Sequence, residues 1–279
     1  MTSTTKARAG RLGALWAWGA IAMVAWLGLA GCASQQSTME ADTSSAGVVT
    51  PSDESDARRR ARIRLELAVG YFEQGKTDIA LDELKQVIAI DPVFGDAYNL
   101  RGLIFMRLND LRQAEDSFRR ALSINARDSN TLHNYGWMQC QAGRYDDAAR
   151  LFERAIANPL YADRAKTLMA MGLCQVRAGR NEDAERSLAR SYELDAANPV
   201  VGYNLASLLL RRGDFQRAQF YIRRLNNSEL ANAESLWLGV KVERRMNDAD
   251  AMRQLGEQLR KRFPQSRERA AYDRGAFDE

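Results

Sequence analysis

The stretch NTLHNYGWMQCQAGRYDDAARLFERAIANP, residues 130–159, decides the fold. Its apolar residues recur at spacings of three and four, the period of an amphipathic helix and not of a strand. Gly143 breaks the pattern once, where a residue in the left-handed conformation ends a helix. Ala148 stands twelve residues after Gly136, Phe152 four after that, and Pro159 closes the segment. The stretch predicts two helices joined by a tight turn. Gly136 and Ala148 sit where the helices cross, since larger side chains would push them apart.

The frame repeats outward in both directions. Ala68, Gly102, Gly136, Gly172, Ala206 and Gly239 open six copies, and Ala80, Ala114, Ala148, Ala184, Ala218 and Ala251 each follow by twelve residues. Leu84, Phe118, Phe152, Leu188, Ile222 and Leu255 come four later. The alanines are spaced by 34, 34, 36, 34 and 33 residues. Gly75, Asn109, Gly143, Gly179 and Gly213 mark the mid-repeat turn, which in the sixth copy carries Met246 with Asn247 beside it. Arg64, in the first copy, stands where the others tend to place a large apolar residue. Pro92, Pro159, Pro199 and Pro264 lie near repeat ends, where Pro stops the second helix. A helix–turn–helix of this length and marking resembles the tetratricopeptide repeat, over about residues 60–268. That resemblance implies an all-α fold, a right-handed superhelix of six helix–turn–helix repeats. Arrays of this kind offer a concave binding surface.

Composition agrees and excludes several function classes. The chain of 279 residues is 46% hydrophobic and 27% charged, a globular balance. Three Cys are too few for a disulfide framework. His133 is the only His, which argues against imidazole catalysis and a His-based metal site. No Gly-x-Ser-x-Gly stands near it, and no acid, base and nucleophile converge. The expectation is no catalytic residue, no metal, no small-molecule substrate and no enzyme, with His133 a groove or core polar residue. The net charge of +4 misleads, because Lys6, Arg8 and Arg11 lie in an opening stretch of 31 residues that holds no acid. Without that stretch, 37 basic residues face 36 acidic ones, and a nearly neutral chain gives no reason to expect nucleic acid.

The opening stretch is an address. Behind the three basic residues, Leu12 to Ala30 is an uncharged apolar run, a secretory signal peptide or an uncleaved anchor. Leu29-Ala30-Gly31-Cys32 resembles the lipobox of bacterial lipoproteins. The resemblance implies removal of residues 1–31 and a mature chain beginning at Cys32 with a diacylglycerol and an N-acyl chain, the only attached group expected. Two or three chains anchor stably where one is marginal. Ala33 and Ser34 follow, neither being the Asp that holds enteric lipoproteins in the inner membrane. The destination implied is the outer membrane, lipid-anchored and facing the periplasm. Residues 32–57 form the lipidated N-terminus and a flexible tether rich in Ser, Thr, Asp and Glu, 58–268 the six repeats, and 269–279 a polar tail.

In tetratricopeptide arrays the first helix of each repeat lines the concave face. That rule marks Val69 and Phe72, Leu103 and Met106, Trp137 and Cys140, then Leu173 and Val176. Any one of these side chains could instead pack between repeats. As a set, with a Met and a Trp among them, they describe a groove for an amphipathic helix or a short apolar peptide. The positions that grip a peptide carboxylate in co-chaperone arrays hold Leu65, Val69, Leu100, Asn130 and Asn134, none basic. Cys140 and Cys174 fall at different repeat positions. Packed helices lie about 8–10 Å apart, whereas a disulfide needs α-carbons within about 7 Å, so two buried thiols are expected. The runs Arg58-Arg59-Arg60, Arg211-Arg212 and Arg260-Lys261-Arg262 read as solvated helix faces, and the first could also touch lipid phosphate.

Three stretches go further: Leu132-His133-Asn134-Tyr135-Gly136; Asn158-Pro159-Leu160-Tyr161-Ala162-Asp163-Arg164 with its two-residue insertion, running on to Leu168 and Met171-Gly172-Leu173; and Asn232 to Gly239 with Leu259-Arg260-Lys261-Arg262-Phe263-Pro264. In order and spacing they resemble the type IV pilus biogenesis and stability lipoproteins of the PilF/PilW family. The resemblance implies a pilotin, which binds secretin subunits in the periplasm and promotes their localisation and multimerisation at the outer membrane. The partner implied is the type IV pilus secretin, held by Val69, Phe72, Leu103, Met106 and Trp137. The alternative is a scaffold lipoprotein for cell-wall enzymes or outer-membrane protein assembly.

Overall fold

The computed structural model describes residues 54–277. The expected signal peptide, Cys32 and most of the expected tether lie outside the described residues. The fold starts at Ser55, whose hydroxyl accepts from the Arg58 backbone N–H and caps the first helix. Helix α1 (Asp56–Glu73) therefore takes in the last two residues expected of the tether, and Glu54 accepts from Arg62 at 3.1 Å.

Twelve helices pair into six repeats: α1 with α2 (Thr77–Ile90), α3 (Gly95–Arg107) with α4 (Leu111–Ile124), and α5 (Ser129–Gln141) with α6 (Tyr145–Ile156). They continue with α7 (Arg164–Arg177) and α8 (Asn181–Leu194), α9 (Pro199–Arg212) and α10 (Phe215–Asn226), and α11 (Ala233–Arg245) and α12 (Ala249–Arg262). An additional helix, α13 (Arg267–Arg274), follows. No strand occurs among the described residues.

The repeat markers carry the packing. A Cβ on Gly102 would meet the Phe118 ring at 2.6 Å, and one on Gly136 would meet Phe152 at 2.9 Å. One on Gly172 would meet Leu188 at 2.6 Å. The small residue of each first helix is thus the seat of the large residue on the second, and all three large side chains are fully buried. Full burial of one such side chain contributes roughly 1.5–3 kcal/mol. The core runs continuously between repeats, since the second helix of one joins the first helix of the next in shared clusters such as Leu84 and Val87 with Ala97 and Ile104. Arg64 fills its apolar position by pairing with Glu83 at 2.8 Å.

Three expectations need correction. Pro199 is the first residue of α9 and opens a helix, because its fixed φ and missing N–H suit the first turn. In the sixth repeat the turn and the start of the second helix lie one residue later than the alanine pattern indicates, although Gly239 still sits against Leu255, 3.0 Å from where its Cβ would be. Asn247, at φ 58°, takes the left-handed turn position and Asp248 caps α12, each 34 residues after Gly213 and Asp214. In that register Val240 and Gly256 stand where the fifth repeat has Ala206 and Ile222, so large and small have exchanged helices. Finally, residues 269–279 are not a plain polar tail. Ser266 caps α13, and Tyr272 lies where a Cβ on Gly256 would be, 2.0 Å from its ring. Phe277 stacks on Trp237 at 5.6 Å.

Candidate protein-binding groove

The first helices touch in succession from α1 through α3 and α5 to α7, and again from α9 through α11 to α13. The second helices make no comparable contact with one another. Two rows of unequal spacing curve toward the closer row, so the first helices line the inner face.

Four of the five groove residues are half-buried there and the fifth is exposed. Val69 is 37% exposed, and it shares α1 with Ile63 and Leu67, which are 50% and 49% exposed. Phe72 packs on the first core cluster, and the Arg107 guanidinium lies 3.8 Å from its ring centroid. Arg107 also donates to the Phe72 carbonyl at 2.6 Å. Leu103 and Met106 flank the second cluster. Trp137 flanks the fourth, with the Arg177 guanidinium 5.0 Å from its ring. For Phe72, Leu103, Met106 and Trp137, packing against the core and partial exposure coexist in one side chain. Arg107 and Arg177 were missed as site residues. The signal was present, because each directly follows a position marked for the inner face, Met106 and Val176.

Cys140 leaves the groove set. It is 2% exposed and forms a disulfide with Cys174, joining α5 to α7 with α-carbons 5.8 Å apart. The expectation of free thiols compared the required α-carbon distance with a distance between helix axes. Each α-carbon stands about 2.3 Å off its axis, so facing α-carbons of helices about 9 Å apart approach to about 4–5 Å.

His133 is a core residue of the same junction. It is buried, its Nδ1 lies 2.8 Å from the Thr167 hydroxyl, and that hydroxyl donates to Tyr161 at 3.4 Å. Burial, with a smaller push from Lys166 against Asp163, lowers the imidazole to about 4. A neutral ring sealed between helices ties α5 to the loop and to α7. Of the carboxylate-gripping positions, Leu100 is buried and Asn134 donates to Asn99 at 3.0 Å. The arginine runs are engaged as well as solvated: Arg58 pairs with Asp91 of the next loop and lies 4.4 Å from the Phe94 ring.

Paired helices in a 34-residue register, with an inner face built by the first helix of each pair, define a tetratricopeptide-repeat protein. Tetratricopeptide-repeat models match residues 94–160, 140–199 and 199–219. Within that class the chain is a homologue of PilF and PilW. It is 26% identical to the type IV pilus assembly protein PilF of Pseudomonas aeruginosa over 204 residues, 73% of this chain and 81% of that one. The solved structure of PilF superposes with a TM-score of 0.71 at 25% identity, covering 79% of this chain and all of the other. PilW, described as a widely conserved type IV pilus biogenesis factor, gives 0.67 at 27% identity, covering 76% and 98%. YrrB, a tetratricopeptide protein at 13% identity and a TM-score of 0.57, shares the fold.

Proposed function

We propose that this protein is a non-enzymatic outer-membrane lipoprotein of type IV pilus biogenesis that binds secretin subunits and promotes their localisation and multimerisation. The carrying observation is the match to PilF and PilW across essentially the full length of both solved chains. The sequence Leu29-Ala30-Gly31-Cys32 supports the anchor. Cys32, once acylated, fixes the domain to the inner leaflet of the outer membrane, and the tether gives it roughly 25–30 Å of reach. The apolar inner face of repeats one to three covers a secretin segment that would otherwise associate with its neighbours. Val69, Phe72, Leu103, Met106 and Trp137 make that contact, with Arg107 and Arg177 holding the two aromatic rings in place.

The test is the secretin's heat-stable multimer, read on denaturing gels of purified outer membranes from cells with and without the protein. Loss of the multimer, or its retention in the inner membrane, is expected in the deletion strain. Cys32→Ala is expected to give the same displacement at normal protein levels. The triple variant Val69→Ser, Leu103→Ser, Trp137→Ser is expected to abolish secretin binding while keeping the helical circular-dichroism signal. Normal multimers at the normal place in the deletion strain would transfer the protein to the scaffold class.

A further inference from the structure

The two edges of the array differ in chemistry. Each helix pair is joined by a turn of two or three residues and successive pairs by four to seven, so the first helices all run in the same sense. Their N-termini, the C-termini of the second helices and the connections between repeats therefore share one edge, and the turns share the other. Val93, Leu160, Leu194, Val200 and Leu230 are exposed on the connection edge. Leu160, at 90%, is the most exposed large apolar residue among the described residues. The turn edge shows Ile79 and Leu108 among Lys76, Arg144 and Arg180. Beside Leu160, between the connections that lead into α5 and α7, lies a cavity of about 650 Å³. That size falls within the range of about 300–1,000 Å³ of ordinary ligand pockets. Ala126, Leu132, Ala157 and Pro159 give it apolar walls, Arg127 and Arg154 its only charges, and no acid lines it. Arg154 donates to the Ala126 carbonyl at 2.9 Å, which ties it to the wall. Neither guanidinium has a carboxylate partner among the described residues.

We propose that this edge rests on the membrane and that the cavity takes the headgroup of one phospholipid, with the phosphate between Arg127 and Arg154 and Leu160 inserted beside the acyl chains. The inference rests on the lipoprotein reading above and adds an orientation to it. The chain that precedes Glu54 joins the domain at the N-terminus of α1, on this same edge. Residues 32–53, as a coil, would span about 25 Å. The cavity lies two first-helix spacings from α1, about 16–20 Å. An acylated Cys32 and the cavity can therefore meet one bilayer face. Guanidinium groups bind phosphate oxygens through paired N–H donors, and each basic residue near an anionic membrane strengthens binding about fivefold. A bare phosphate, or an acidic peptide in the cavity, would satisfy the arginines and leave Leu160 and Val93 uncovered. A bilayer covers both.

The test reconstitutes the acylated chain into vesicles of phosphatidylethanolamine and phosphatidylglycerol. Ala162→Cys, exposed on the same connection as Leu160, carries a nitrobenzoxadiazole label, and Arg112→Cys, in the first turn of α4 on the turn edge, carries the control label. With Cys140 and Cys174 joined and Cys32 acylated, the introduced thiol alone reacts. Flotation with the vesicles reports the anchor, and quenching by nitroxide on the lipid acyl chains reports the edge. Both labelled proteins are expected to float, with quenching at position 162 and none at 112. Arg127→Ser with Arg154→Ser is expected to lower the ratio of quenched to unquenched label about 25-fold, fivefold for each arginine, at unchanged flotation and thermal midpoint. Leu160→Asp, which leaves both arginines in place, is expected to lower it as well. Equal quenching at both positions, no quenching at 162 in floating protein, or unchanged quenching in both variants would overturn the proposal and leave the anchor reading standing. Loss of quenching on addition of inorganic phosphate would make the cavity a bare-anion site, with the same result. Protein that fails to float would overturn the anchor reading and this inference together. No secretin is present, so the pilotin reading is not touched.

Discussion

The absence of one methyl group at residue 136 sets the distance between two helices. Phe152 occupies the space a Cβ would fill, so Gly136→Ala forces ring or backbone to move, at a cost of roughly 1–3 kcal/mol. Gly70, in α1, faces open space within 4 Å, and Gly70→Ala should stabilise by about 0.5–1 kcal/mol through helix propensity. Urea midpoints of the two variants should move in opposite directions. His133 gives a pH prediction of definite sign. Its folded value of about 4 lies below the ordinary value of about 6.5, so the unfolded chain binds the extra proton. Its contribution is complete above about pH 6.5 and falls away toward pH 4, by roughly 3 kcal/mol. Unfolding free energies measured from pH 7 to pH 4 should fall less steeply in His133→Gln than in the parent, and parallel slopes would remove the argument.

At the scale of the helix, α13 depends on a single exchange of volumes. The sixth repeat places Val240 on its first helix and Gly256 on its second, which opens the seat taken by Tyr272. Gly256→Leu should expel α13, so that trypsin cuts at Arg267 and Arg269 while α1 to α6 stay protected, because repeats rely on their neighbours alone. The same exchange explains why the sixth repeat was misregistered. An alanine count follows Ala251, whereas the chain follows its turn. Asn109-Asp110 and Asn247-Asp248 are the same dipeptide in the same role, a left-handed residue followed by a side-chain cap. Weighing that dipeptide above the alanine would have placed the repeat correctly. The six pairs, their crossings and their turns were legible because each depends on residues within one repeat. The cysteine pair and the docking of α13 depend on distances between elements, which periodicity does not encode. Of the proposed groove, Val69, Phe72, Leu103, Met106 and Trp137 follow from repeat position alone, while the guanidinium groups over the Phe72 and Trp137 rings come from the following repeat.

At the scale of the whole array, the third and fourth repeats are joined by more than packing. The longest connection between repeats one and five, residues 157–163, lies at this junction, where His133, Thr167 and Tyr161 bond across it and the disulfide closes a loop of 34 residues. By the chain-entropy model such a closure contributes about 3–4 kcal/mol. Cys140→Ala with Cys174→Ala should lower the unfolding free energy by roughly 2–4 kcal/mol, and reductant should have no effect on that variant. Elsewhere each repeat holds only its neighbours, so the array responds to tension as springs in series. The disulfide takes the span from Cys140 to Cys174 out of that series. Pulled from both ends in an optical trap, the oxidised protein should reach full extension about 110 Å shorter than the reduced one, for the 34 residues concerned. The array thus has a fixed limit to its stretch, set by a single covalent bond.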